Sequence, residues 1–317
     1  MSERQIEAED LTAAIEELRR EGFRLDLIYP ADDPGTAVMS RDGNAVRLVR
    51  PDARELPSRL PEFQAQFVLT RAGEAAAQGR AGMLYRDLIP GRLGERYIAS
   101  HITIPVGGPI DDWVHYHKVE LQLIYVRSGW VRVVYEDGGE PFVMNPGDLV
   151  IQPPEIRHRV LESSGGLEVV EISAPAVHAT FADHELKLPN DRNAGRIFGG
   201  QRFLRHIAAD TPWTPSNCGE AQETEVKLAT SGLADARTIR PRNREAIAFG
   251  GHGGELIFGF VLEGSAVLDF RGMHDVGPAD SFVIPPGQPW RLRGPSSDLR
   301  LLHVTTTRLD DAALSHL

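Results

Sequence analysis

Two kinds of hydrophobic periodicity divide the chain. Near the start, Leu11, Ala14, Ile15 and Leu18 recur at helical spacing with Glu and Arg between them. That pattern predicts an amphipathic helix over about residues 8–21, stopped at Gly22. "FRLDLIYP" and "NAVRLVRP" then predict two short strands around the turn "ADDPG…RDGN". The apolar stripe of this segment needs cover from a neighbouring sheet or a second subunit. From about residue 81 the texture changes to short runs of Val, Ile, Leu and Tyr broken by Gly, Pro and Asp: "RYIASHITIP", "LQLIYVRSG", "WVRVVYED", "DLVIQPP", "EVVEISAP". After residue 195 it returns in "FGFVLEG", "SAVLDFRG", "DSFVIPPG" and "LRLLHVT". This spacing predicts an all-β sandwich or barrel, twice over.

The two halves read as repeats. "YVRSGWVRVVYED" sets against "FVLEGSAVLDFRG", with Gly129 matching Gly264. "PGDLVIQPPEIRHRV" sets against "PADSFVIPPGQPWRL", with Asp148 matching Asp280 and Pro153 matching Pro285. Two corresponding blocks in the same order make chance similarity a poor explanation.

Composition narrows the function classes. The chain has 317 residues, 41% hydrophobic and 25% charged, which suits one large or two medium globular domains. A net charge of −11 argues against nucleic-acid binding, which needs a basic face. Cys218 is the single cysteine, so no intrachain disulfide forms. The first residues are charged throughout, with no apolar signal core, and no stretch reaches the roughly 20 apolar residues of a membrane span. A cytoplasmic protein without a membrane partner is the expectation.

The chemistry concentrates in "VHYHKVELQLIYVRSG". His115, His117, Gln122 and Gly129 stand where the first motif of the cupin superfamily has a histidine pair, a glutamate and a glycine. Gly147, Pro153, Glu155 and His158 stand where its second motif has glycine, proline, glycine and histidine. Both spacings hold without a gap; Gln122 and Glu155 depart in residue type. The chain thus resembles a bicupin over about residues 81–310. The resemblance implies two jelly-roll barrels in tandem, with an N-terminal helix and strand extension (1–60), a metal-binding cupin domain (61–180) and a degenerate, metal-free one (195–310).

Alternation along a strand puts His115 and His117 on one face, with His158 arriving from another strand. Three imidazoles with Gln122 suit one divalent ion, Fe, Mn, Ni, Cu or Zn, and a resemblance to dioxygenases of this superfamily implies Fe(II) foremost. Glu120 competes with Gln122 as fourth ligand. A neutral Gln122 leaves the ion's full charge to attract an anionic or enolate-forming substrate. In the second half, Gly250, His252, Ile257 and Trp290 fall at the ligand positions, so His252 reads as structural. Arg96, Ser100, His101, Trp113 and Tyr125 are weaker candidates for substrate contact. Arg127, Arg132, Arg157 and Arg159 fit a charged outer face, and "GGHGG" (250–254) reads as a loop.

The plan is similar to gentisate-type dioxygenases, which implies a non-haem Fe(II) dioxygenase acting on a small anionic, aromatic or enolisable substrate. Ring-opening uronate cupins, similar in their His-His-Gln-His set, imply instead a metal-dependent isomerase on a sugar acid. A non-catalytic small-molecule-binding bicupin is the third reading. Edge strands and the N-terminal stripe lead us to expect a homodimer.

Overall fold

The computed structural model describes residues 3–78 and 82–309. It is an all-β molecule of two tandem jelly-roll barrels, each a pair of sheets wrapped around its own interior. In the first barrel, His115–His117, His158–Ser163, Val131–Tyr135 and Phe142–Met144 belong to a ten-stranded sheet. Leu121–Ser128, Leu149–Ile151, Leu167–Ala174 and Ile98–Ile104 belong to the seven-stranded sheet facing it. The second barrel repeats the plan with a seven-stranded and a four-stranded sheet.

The N-terminal extension is part of the first barrel's sheet. Its helix, Leu11–Arg20, starts at Asp10, whose carboxylate accepts from the Ala13 amide at 2.9 Å. Leu11 and Ile15 are buried against Leu25, Met39 and Leu48, so the stripe is covered within the chain rather than by a second subunit. The predicted strand pair is in fact a three-stranded unit, Arg24–Tyr29, Thr36–Arg41 and Asn44–Val49. The missed strand alternates, with Ala37 and Met39 buried, and it turns through Asp42-Gly43, both at positive φ (49° and 78°) as a tight hairpin demands. Glu3–Glu7 adds a parallel edge strand on Asn44–Val49. At the opposite edge, Arg24–Tyr29 pairs with Thr180–Ala182, which pairs with His115–His117.

The seven-stranded sheets of the two barrels pack back to back. Leu121, Leu123 and Tyr125 of one barrel share an apolar cluster with Phe258, Phe260 and Leu262 of the other. Because side chains alternate, Gln122 and Ile124 then face the first barrel's interior. The barrels also exchange edge strands. Val68–Thr70 pairs with Ser281–Val283 of the second barrel, and Leu204–His206 pairs with Leu149–Ile151 of the first. Sheet pairing therefore crosses the expected 61–180 and 195–310 boundaries in both directions.

Candidate metal centre

The strands bring His115, His117 and His158 together. His115 lies opposite His158 in the antiparallel register, and His117 follows on the same face of its strand. All three are buried, and their ligand nitrogens lie within 4.8 Å of one another. Ring centroids are 4.3 Å apart for His115 and His158, 5.1 Å for His115 and His117, and 5.2 Å for His117 and His158. Each Nδ1 has an oxygen partner. That of His115 meets the Trp113 carbonyl at 2.8 Å, that of His117 the Thr180 hydroxyl at 2.9 Å, and that of His158 the Ile156 carbonyl at 3.0 Å. A carbonyl only accepts, so Nδ1 of His115 and His158 carries the proton, while the Thr180 hydroxyl can accept from His117 Nδ1 or donate to it. With Thr180 accepting from His117, three Nε2 lone pairs are left for a cation, which is the outer-shell arrangement that fixes metal-binding histidines. The residues fit a divalent ion.

The departure at Glu155 also has an explanation. Glu155 adopts φ 61°, the left-handed region where the motif carries glycine. Its amide donates to the His117 carbonyl at 3.1 Å, and its carboxylate pairs with Lys118. The turn that positions His158 is therefore kept despite the side chain.

Above the histidines lies a cavity of about 100 Å³. Its walls are aliphatic for the most part, among them Met83, Ile102, Ile124, Val131 and Val169. Its polar side chains besides the three histidines are Gln122, Glu171, Gln152, Tyr85 and Tyr135. Gln152 donates to the Tyr135 hydroxyl at 2.9 Å, and burial holds that phenol above its ordinary pKa. Among the described residues, no arginine or lysine lines the cavity.

Gln122 faces the cavity, as expected of an inward residue, while Glu120 is buried outside it, with its amide on the Ala174 carbonyl. The amide nitrogen of Gln122 donates to Glu171 at 2.9 Å, leaving its oxygen as the atom able to approach a cation. Glu171 corrects the neutral picture of the site: a carboxylate stands beside Gln122. The sequence carries a signal for it. Leu167, Val169 and Glu171 alternate inward along Leu167–Ala174, so a charge interrupts an apolar face. His178 is a second residue missed. Its buried ring stands edge-on to His117 at 5.5 Å with Nδ1 on the Pro175 carbonyl at 2.9 Å, and burial lowers its pKa.

The weaker substrate candidates lie elsewhere. Tyr125 is three residues from Gln122 and so faces the other barrel, its hydroxyl 3.5 Å from that of Thr238. His101 is set in a buried network between the barrels, with Nε2 2.7 Å from Glu168 and Nδ1 3.1 Å from Arg86. Burial lowers its pKa against the pull of Glu168. Arg96 forms a two-pronged ion pair with Glu255 of the second barrel, at 2.8 and 3.0 Å. Trp113 packs beside His115 at 6.1 Å, under Arg19, and contributes a backbone carbonyl rather than a cavity wall. Neither Ser100 nor Arg127, Arg132, Arg157 or Arg159 lines the cavity.

Sequence and structure comparisons agree with this geometry. The cupin domain profile matches residues 100–173, which contain all of the triad. No curated protein matches the sequence. Among solved structures, a variant of the Bacillus subtilis oxalate decarboxylase OxdC superposes with a TM-score of 0.55 at 12% identity, covering 80% of each chain. The formate complex of Lactobacillus farciminis oxalate decarboxylase gives 0.51 at 16% identity, covering 81% of this chain and 89% of that one. The Ylba protein of E. coli gives 0.54 at 11% identity, covering 78% and 93%. Residues 100–173 thus match the cupin domain, and the chain as a whole shares the two-barrel fold of these solved structures.

Proposed function

We propose that the first barrel is a one-metal active site and that the protein is a non-haem Fe(II) dioxygenase acting on a small aromatic or enolisable molecule. The observation that carries this reading is the set of three buried imidazoles, each oriented through Nδ1, at the floor of an apolar cavity. Three protein nitrogens leave coordination positions for a chelating substrate and for dioxygen. A divalent ion held there supplies Lewis acidity, and iron adds the one-electron redox change that dioxygen chemistry requires.

The chain's own residues do the rest. The Thr180 hydroxyl and two carbonyls fix the imidazoles. The aliphatic walls exclude water and receive the body of the substrate. Gln122, Gln152, Glu171, Tyr85 and Tyr135 offer the few polar contacts besides the histidines. A sugar acid suits such walls poorly, since each buried hydroxyl without a partner costs about 1–3 kcal/mol. The cavity is also well below the roughly 300–1,000 Å³ of a drug-sized pocket, so the substrate is small.

The test is anaerobic purification, metal analysis, and oxygen uptake with catechols, hydroxylated benzoates and β-diketones. Near-stoichiometric iron with substrate-dependent oxygen uptake is expected. Tight zinc with no oxygen uptake from any of them would overturn the dioxygenase reading.

A further inference from the structure

We infer that Glu171 decides the charge of what the cavity accepts: a neutral, protic chelator with an apolar body enters, and carboxylates are turned away. This rests on the one-metal reading of the site and deepens it by naming the substrate class. Glu171 is half-buried on the inward face of Leu167–Ala174. One oxygen, Oε1, takes both of its donors, Gln122 Nε2 at 2.9 Å and Ser173 Oγ at 3.1 Å. Among the described residues, no donor bonds Oε2. A cavity-lining carboxylate with one oxygen open is an acceptor waiting for an O–H.

The rest of the lining points the same way. Recognition of a carboxylate uses a cationic fork, which the described residues of these walls do not provide. The other polar groups of the lining are neutral: the Gln152 amide, which donates to Tyr135, and the hydroxyls of Tyr85 and Tyr135. An anionic substrate therefore meets a like charge in a low-dielectric pocket, with no cationic side chain among the described residues to offset it beside the metal. A phenol or enol instead gives its proton side to Oε2 and its oxygens to the cation, a charge-assisted hydrogen bond of the stronger kind. The fold does not demand a carboxylate at this place: the matching position of the second barrel is His303, opposite Gly259 as Glu171 is opposite Ile124.

The experiment uses cobalt(II)-loaded full-length protein, whose visible absorption reports ligand binding without turnover. The probes are catechol, neutral and protic at neutral pH, and oxalate, a dianion that also chelates through two oxygens. The wild type should bind catechol more tightly than oxalate. Glu171→Gln keeps the shape of the side chain and should weaken catechol roughly tenfold while strengthening oxalate by a similar factor, at unchanged cobalt content. Preference for oxalate in the wild type, or a variant that keeps cobalt and shifts both probes together or neither, would overturn the role of Glu171. Wild-type protein that takes up no cobalt would overturn the one-metal reading itself, and this inference with it.

Discussion

The two barrels have one skeleton and opposite interiors. The Gln152 amide donates to the Gln122 carbonyl at 3.0 Å, and the Ile284 amide repeats that bond to Ile257 at 3.0 Å. Glu155 bonds back to His117 as Gly287 does to His252. Yet where His115 lies opposite His158, the second barrel sets Phe249 opposite Trp290, stacked at 3.7 Å and 2°. The register thus places Phe249, one residue before Gly250, in the role of His115. Phe282 closes the interior edge-on to Trp290 at 5.2 Å. Gly259 makes room for it, since a Cβ there would come within 2.3 Å of the Phe282 ring. His303 packs against the same stack, 5.3 Å from Phe249. A jelly roll needs its interior filled, and this chain uses a polar, cation-ready set in one copy and an aromatic plug in the other. His252 stays outside the plug, its Nδ1 accepting from the Gly254 amide at 3.0 Å.

The sharpest way to break that contrast is metal content. His117→Ala should lower metal affinity by about a thousandfold or more, beyond the 10–100-fold typical of losing an outer-shell partner. His252→Ala should leave it intact. Equal losses, read by metal analysis after gel filtration, would mean that the barrels share the metal.

The converse experiment empties the plug. Trp290→Ala removes a side chain only 2% exposed and should cost about 3–5 kcal/mol of stability. Thermal unfolding of the variant measures it, and metal content of the folded fraction should not change. A loss below about 1 kcal/mol would show that the aromatic stack does not hold the second barrel together.

How much of this was legible in the sequence depends on the range of the signal. His115, His117 and His158 were readable because the spacing within each of the two short motifs that carry them is local. The parity of a strand is local too. With Gln122 inward, Tyr125 had to point the other way, and Glu171 belonged with Leu167 and Val169. Arg96 was not legible, because its partner Glu255 lies 159 residues away. The exchanged strands Val68–Thr70 and Leu204–His206 were hidden for the same reason: short apolar runs do not say which barrel they join.

Acid separates the interiors next. Burial, aided by Arg237 and His252, pushes His303 down to about 3 from the ordinary 6.5. A base with a depressed folded pKa is neutral in the fold. Above pH 6.5 both states are neutral and its contribution is fully present. As the pH falls below that value the unfolded chain takes a proton that the folded chain refuses, and stability drops until about pH 3. At pH 5 the loss amounts to about 2 kcal/mol. His303→Leu should flatten the fall in Tm between pH 7 and 5 relative to the wild type. Parallel slopes would remove His303 from the account.

The smallest effect expected is the most specific to the first barrel. Thr180 is 1% exposed, and its hydroxyl is the partner of His117 Nδ1. Thr180 also pairs with His117 across the strands, so its place is set by the sheet and not by the hydroxyl. Thr180→Val keeps the branched shape and removes only the oxygen. With a cation on Nε2 the hydroxyl accepts from the His117 Nδ1–H; without that acceptor, the tautomer with Nε2 protonated, which cannot bind a cation, gains population. Metal affinity should fall about tenfold, the lower end for an outer-shell partner. His115 and His158 serve as internal controls, because backbone carbonyls that the substitution leaves in place hold their Nδ1 atoms. Competition with a chelator of known affinity measures the change, and ring-nitrogen chemical shifts of the metal-free protein report the tautomer. An unchanged affinity together with an unchanged tautomer would show that His117 needs no hydroxyl to present Nε2. The presentation would then come from packing against His115, His158 and His178 alone.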